Sequence, residues 1–313
     1  MKNYTSKYAA LLTVLATISI AGWVVASETD GFNYPARQLL PAAWKASWSP
    51  DSKSLAFTRQ GGGIAVLEFE SGRVTDLKPG GKDPAWSPDG KFIAYVSGTG
   101  EKGDVLSAQE VWIMPAKGGE PVKIGQGGFP AWTADSKRVL FHSQGRILSV
   151  GVDAPQEAPA IFFASPPSLY PAISPDGSRI AFGGQGKLTA FEVKTGQTIA
   201  SFSTPGEPGL LPGWSPDGRQ VAFGGFGAGR TGLWIFDVEL GGAYQVAKDP
   251  RCTMPAWSPD GKYLVFDLRA VTNAVEARAL WMINTESLPR NPTLTNQLPP
   301  RAVANQVPAP LIK

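Results

Sequence analysis

The sequence predicts an all-β protein, a six-bladed β-propeller of four-stranded antiparallel blades. Two observations predict it. The string Trp-Ser-Pro-Asp-Gly-(Lys/Arg), with degenerate copies, occurs six times, at Trp48, Trp86, Trp132, Ile173, Trp214 and Trp257, each time ahead of a short apolar run. Its aspartates, Asp51, Asp89, Asp135, Asp176, Asp217 and Asp260, follow one another by 38, 46, 41, 41 and 43 residues, near the length of one blade. Composition agrees: 36 Gly, 28 Pro and only 18% charged residues in a chain of 313 suit many short strands and tight turns.

Residues 1–27 come first. Lys2 and Lys7 precede an apolar run from Tyr8 to Ala26, and Val24-Val25-Ala26 offers small residues for cleavage, the pattern of an export signal. An uncleaved anchor is the alternative, because the run approaches the ~18 apolar residues that span a bilayer. No Cys follows the run to carry a lipid. Cleavage would leave a periplasmic or secreted chain off the membrane, and loss of the two lysines lowers the formal charge from +3 to +1. So weak a charge makes nucleic acid a poor partner. The lone Cys252 cannot close an internal disulfide, so packing alone must hold the fold.

Residues 28–43 are an amino-terminal segment in which Gly31 to Leu40 can supply a strand that closes the ring. Thr293 to Leu298, at the other end, competes for that place. The propeller itself is expected over 44–296 and a proline-rich, extended tail over 297–313.

Within each blade, Ser87-Pro88-Asp89-Gly90 illustrates the turn between first and second strands. Proline fixes φ, aspartate bonds local backbone and glycine takes the left-handed position. All six aspartates are therefore read as turn formers, and the tryptophans as interblade packing. The first and third copies carry Ser52 and Ser136 where the type turn has glycine, which predicts weaker turns of altered geometry. Third strands are expected at Ile64 to Phe69, Val111 to Met114, Arg146 to Val150, Leu188 to Val193, Leu233 to Asp237 and Leu280 to Asn284.

These residues carry a resemblance. Pro84-Ala85-Trp86-Ser87-Pro88-Asp89-Gly90-Lys91, followed by a strand with Phe92 and Tyr95, resembles the repeats of TolB-like six-bladed propellers, a WD-repeat-like family. The resemblance implies a periplasmic binding protein with an envelope lipoprotein as partner. The chain departs from the family's namesake in having only about Ser27 to Ala43 where that protein has an α/β domain. That departure favours a propeller acting alone, as a monomeric, non-catalytic binder of a protein or peptide.

The same repeat resembles the propellers that gate prolyl oligopeptidase-type hydrolases, but no nucleophile elbow is present. Its nearest string, Gly213-Trp214-Ser215-Pro216-Asp217, belongs to a blade turn, and the single histidine, His142, falls in a strand. No catalytic residue, metal ligand set or cofactor is assigned from spacing. Carboxylates brought together from different blades are invisible to spacing, so a hydrolase or lactonase-like enzyme, with or without channel calcium, is the alternative.

Candidate binding residues lie where the copies differ. Three places before each motif stand Lys45, with Trp44 beside it, then Asp83, Phe129, Tyr170, Leu211 and Met254. Such residues can pack between blades or form a ring at the channel mouth. Long connections on the face opposite the turns supply further candidates: Glu101, Lys102 and Asp104 in Ser97 to Ala108, Arg230 in Gly224 to Gly232, and Arg269 in Asp267 to Ala279.

Overall fold

A computed structural model describes residues 31–98, 109–163, 169–184, 187–203, 212–225, 232–272, 275–289 and 294. Six four-stranded antiparallel sheets form a ring. Strand β1 (Ala36–Pro41) comes first in sequence but belongs to the last blade. Blade one is β2 (Ala43–Trp48), β3 (Ser54–Arg59), β4 (Ile64–Glu68) and β5 (Val74–Lys78). Blade two is β6 (Gly81–Trp86), β7 (Phe92–Ser97), β8 (Glu110–Pro115) and β9 (Val122–Gln126). Blade three is β10 (Gly128–Trp132), β11 (Arg138–Ser143), β12 (Arg146–Gly151) and β13 (Ala160–Phe163). Blade four is β14 (Leu169–Ile173), β15 (Arg179–Gly184), β16 (Lys187–Glu192) and β17 (Thr198–Ser203). Blade five is β18 (Gly213–Trp214), β19 (Gln220–Gly225), β20 (Gly232–Asp237) and β21 (Gly242–Ala247). Blade six holds β22 (Cys252–Trp257), β23 (Tyr263–Thr272) and β24 (Val275–Asn284), with β1 as its outer strand. The first strands of successive blades touch one another around the ring, so they line its axis.

The ring is closed from the amino-terminal side: β1 pairs with β24, from Ala36 opposite Ile283 to Pro41 opposite Ala279. Leu294 lies outside any strand and packs against the core of blades five and six, so the outer place considered for Thr293 to Leu298 is taken by β1. The propeller therefore begins at Ala36, not at residue 44. The tail after residue 294 and the leader before residue 31 lie outside the described residues.

Each turn is built alike. Ser87 donates its hydroxyl to Asp89 Oδ1 at 2.7 Å, and the same oxygen accepts the Lys91 N–H at 3.1 Å. The other five aspartates accept the same pair of bonds, with Thr133 standing for serine in the third copy. The expected difference at Ser52 and Ser136 is small, because Gly90, Gly177, Gly218 and Gly261 take φ of 77°, 75°, 68° and 74°. Both serines take φ of 59°, and each closes its turn through a 2.9 Å backbone bond, as Gly90 does. Their hydroxyls then reach the preceding blade: Ser52 Oγ accepts the Asp260 N–H and Ser136 Oγ the Asp89 N–H, both at 3.0 Å. An interblade hydrogen bond thus offsets the roughly 1 kcal/mol of left-handed strain.

Apolar burial lies between blades. The second strands place Phe57, Tyr95, Phe141, Phe182, Phe223 and Phe266 at one repeating buried position. Tryptophan adds a polar clamp in alternate blades: the indole N–H groups of Trp48, Trp132 and Trp214 donate to Ala256, Ala85 and Ala172 of the preceding blade, at 3.2, 2.9 and 2.9 Å.

Candidate binding mouth

Every fully described first strand contains one extra residue. Its ladder to the second strand skips between Trp44 and Ala46, Lys82 and Ala85, Gly128 and Ala131, Leu169 and Ala172, and Thr253 and Ala256. Inside those skips Lys45, Asp83, Phe129, Tyr170 and Met254 take φ of 49°, 54°, 57°, 64° and 53°. Each skip is a β-bulge, which re-aims one side chain and leaves one residue outside the ladder. In four of these blades the next residue is Pro84, Pro130, Pro171 or Pro255, which has no N–H for the ladder to satisfy. That proline is the sequence signal for the bulge. Leu211, the counterpart in blade five, lies outside the described residues.

The bulge leaves a backbone N–H to be satisfied from elsewhere. Asp83 N–H donates to Thr58 Oγ1 at 3.0 Å, and Lys45 N–H to Asp267 Oδ1 at 2.9 Å. Thr58 and Asp267 occupy one register position, directly after the buried aromatic of the second strand and on the preceding blade around the ring. His142 holds the same position in blade three, opposite Gly128. It is only 4% exposed, both ring nitrogens lack a partner, and burial pushes its pKa down.

The mouth has two flanks. On blades three and four, the partly buried Phe129 and Tyr170 meet edge to face with centroids 4.0 Å apart. Burial, then the charge of Asp83, pushes the Tyr170 phenol up to about 12. On blades six, one and two the flank is charged. Asp267 is fully buried, with Oδ2 3.9 Å from Arg278 Nη1 and without a hydrogen bond. Arg278 lies over the Trp44 ring, 4.6 Å from its centroid.

Asp83 is 5% exposed, and burial raises its pKa against the attraction of Lys45, Lys82 and Arg278. Burial pushes Asp267 up to about 7, opposed by the Lys45 amide, Arg278 and the Lys45 ammonium and aided by Asp83. Lys45 is lowered, first by burial, against the pull of both carboxylates.

The structure thus places Trp44, Asp83, Phe129, Tyr170 and Met254 together on or beside the innermost strands, with Asp83 buried and the others partly exposed. Glu101, Lys102, Asp104 and Arg230 lie outside the described residues. Arg269 is not in a loop: β23 and β24 run on as a ten-residue hairpin in which it faces Arg278. The stretch from Asp267 to Ala279, expected as a connection, is mostly strand because the two partners stay in register past the blade. Sequence reasoning passed over Asp267, Arg278 and Lys82. The first could have been found as the residue after the repeated aromatic; the others depend on register. Among the described residues no three His, Cys, Asp or Glu side chains gather as a metal site.

Similar solved structures include TolB from Acinetobacter baumannii, at 20% identity, TM-score 0.55, covering 72% of this chain and 57% of that one. A putative TolB from Agrobacterium tumefaciens aligns at 20% identity, TM-score 0.56, over 79% of this chain and 91% of that one. The fold is that of a TolB-like propeller. An oligogalacturonate lyase in complex with manganese shares the architecture at 14% identity, TM-score 0.55, over 79% and 78% of the two chains. The profile of the family described as Eukaryotic translation initiation factor eIF2A matches residues 182–288, within blades four to six. No curated protein matches the sequence. The chain spans 57% of the Acinetobacter protein, so its TolB-like propeller corresponds to a part of that molecule.

Proposed function

We propose that this chain is an exported, non-catalytic propeller of the cell envelope that receives an extended segment of a protein partner at its channel mouth. One observation carries the reading. Five bulges share one left-handed backbone yet hold Lys, Asp, Phe, Tyr and Met. Glycine at each would relieve about 1 kcal/mol of strain. Side chains kept at that cost, different in each blade and set on the ring axis, suit recognition more than scaffolding. The basic, apolar leader supports export.

The test compares wild type with Phe129→Ala/Tyr170→Ala in pull-downs from envelope extract. Loss of a recovered protein at unchanged folding is expected; identical recovery at unchanged folding contradicts the reading.

The second reading, an enzyme using channel carboxylates, draws on Asp83 and Asp267, brought together from different blades, the latter with a pKa near that of a general base. Both acids are buried beside cations, which favours binding over catalysis. Turnover of any ester or lactone in a chromogenic panel, lost in Asp267→Asn, would favour the enzyme.

A further inference from the structure

The six turns depart from the type motif at few places, and three of those places meet on one seam. Blade three has Ala134 where the other five turns have proline, and blade four has Ile173 for tryptophan and Ser178 for the basic residue. Each change removes something that other seams possess. Prolines pack toward the glycine of the next turn: a Cβ on Gly90 would lie 3.2 Å from Pro50 Cγ, and one on Gly261 3.8 Å from Pro216 Cγ. Before Gly177 stands only the methyl of Ala134.

Trp48 shows what fills the space behind such a turn. Its ring stacks on Phe69 of its own blade and on Tyr263 of the preceding one, with centroids 5.0 and 6.3 Å away, and its N–H donates to the Ala256 carbonyl. Val193 is the counterpart of Phe69 in blade four. Each directly follows its third strand, and each N–H donates to the carbonyl of the motif's last residue, Lys53 for Phe69 and Ser178 for Val193. Ile173 and Val193 are smaller than the indole and phenyl ring that meet between blades six and one. An opening of about 280 Å³ is left, walled by Phe162, Ile173 and Val193, with Ala134, Asp135 and Asp176 in its lining. That is just under the roughly 300 Å³ at which sites for whole ligands begin, so it suits one large side chain.

The rim is acidic. Asp135 and Asp176 are exposed; the Thr133 hydroxyl holds the first below the ordinary carboxylate range, and the Ser174 and Ser178 hydroxyls hold the second at about 2. Asp89 and Asp260 have Lys91 and Lys262 beside them at 3.3 and 3.6 Å, whereas Asp176 has the Ser178 hydroxyl in that place. Arg179, which follows, donates to the Gly218 carbonyl of blade five. Lys137 is the one motif base of the two turns, which leaves their aspartates one charge in excess.

We propose that this opening binds a tryptophan side chain of a partner protein, carried next to an arginine or lysine that meets Asp135 and Asp176. The ring takes the place that blade four leaves without an indole, and the base takes the place that Ser178 vacates. The site lies at the turn end of β10 and β14, past the bulges of Phe129 and Tyr170, so it stands independently of the mouth.

The probe is the blocked dipeptide N-acetyl-Trp-Arg-amide with a fluorinated indole, titrated into the full-length protein and followed by fluorine NMR. Saturable binding is expected, undisturbed by an excess of N-acetyl-Ala-Arg-amide and weaker by about threefold for the Trp-Glu dipeptide, the worth of an exposed ion pair. Ile173→Trp gives the blade its own indole, and should melt no lower than wild type while losing the peptide. Val193→Phe copies Phe69 and blocks the same space by a second route, should Ile173→Trp fail to fold. Ser178→Lys, at an exposed position, should abolish the preference for Arg over Glu and leave the Trp-Glu dipeptide bound. No saturable binding by wild type, or equal binding by a folded Ile173→Trp or Val193→Phe, overturns the proposal. Equal affinity for the Arg and Glu dipeptides overturns the part assigned to Asp135 and Asp176.

Discussion

Asp267 shows how much one side chain can decide at the seam between the last blade and the first. It is fully buried, it holds the Lys45 amide, and its carboxyl is pushed up to about 7 from an ordinary 3.8. A raised carboxyl pKa stabilises the fold below the unfolded value and loses that contribution as pH rises through the folded one. Wild type should therefore lose stability relative to Asp267→Asn between about pH 4 and pH 7, by at most about 1.4 kcal/mol per unit. Urea melts of both proteins at several pH values check this; a gap independent of pH contradicts it. The indoles offer a second contrast. Trp132 donates to Ala85 across the blade interface, whereas the buried N–H of Trp257 has no partner. Trp132→Phe should cost about 1 kcal/mol more than Trp257→Phe, since both lose indole contacts but only Trp132 loses a hydrogen bond. Thermal melts of the two variants decide it, and equal losses would contradict it. At this scale the turn residues were legible, because Ser-Pro-Asp-Gly chemistry is local. The hydroxyls of Ser52 and Ser136 were not, because their partners lie 208 and 47 residues away.

Among the elements, the closing segment differs most from what a repeat count suggests. Gly31 to Asn33 run along the edge of β21, where Asn33 N–H donates to Val246 at 3.0 Å and Lys248 N–H to Gly31 at 2.7 Å. Phe32 then stacks on Trp281 at 5.2 Å and tilts against Phe266 at 5.9 Å before the chain enters β1. The amino-terminal segment thus joins blades five and six from outside. Phe32→Ala should cost about 2 kcal/mol by loss of partly buried aromatic area and raise hydrogen exchange in β1 and β21 together. Exchange raised in β1 alone would mean that the two edges are held independently. The third strands of blades one to five were legible to within a residue, since an alternating apolar run marks them, whereas β24 begins five residues before the expected Leu280 because the blade-six hairpin runs on past the ring. The choice of closing strand was not legible: both chain ends carried usable β sequence, and only three-dimensional reach selects between them.

For the whole molecule, six similar blades supply a rigid ring, and the differences among them supply the mouth. The repeat made the ring legible, and offsetting the copies by three residues found the positions that turn out to be bulges. What the repeat could not give was which blades face one another across the seam. The aromatic flank joins adjacent blades and the charged flank joins blades six, one and two, so neither is a local pattern. The bulge ring also admits a plainer role, in which its side chains only fill space between blades. Phe129→Gly/Tyr170→Gly/Met254→Gly separates the two, because glycine accepts the left-handed backbone while deleting the side chains. Melting temperature and partner recovery from envelope extract, measured on this variant and wild type, decide between the two roles. A binding ring gives a folded variant, with relieved strain offsetting much of the lost contact, that no longer recovers the partner. A variant that fails to fold, or one that folds and recovers the partner as wild type does, would contradict it.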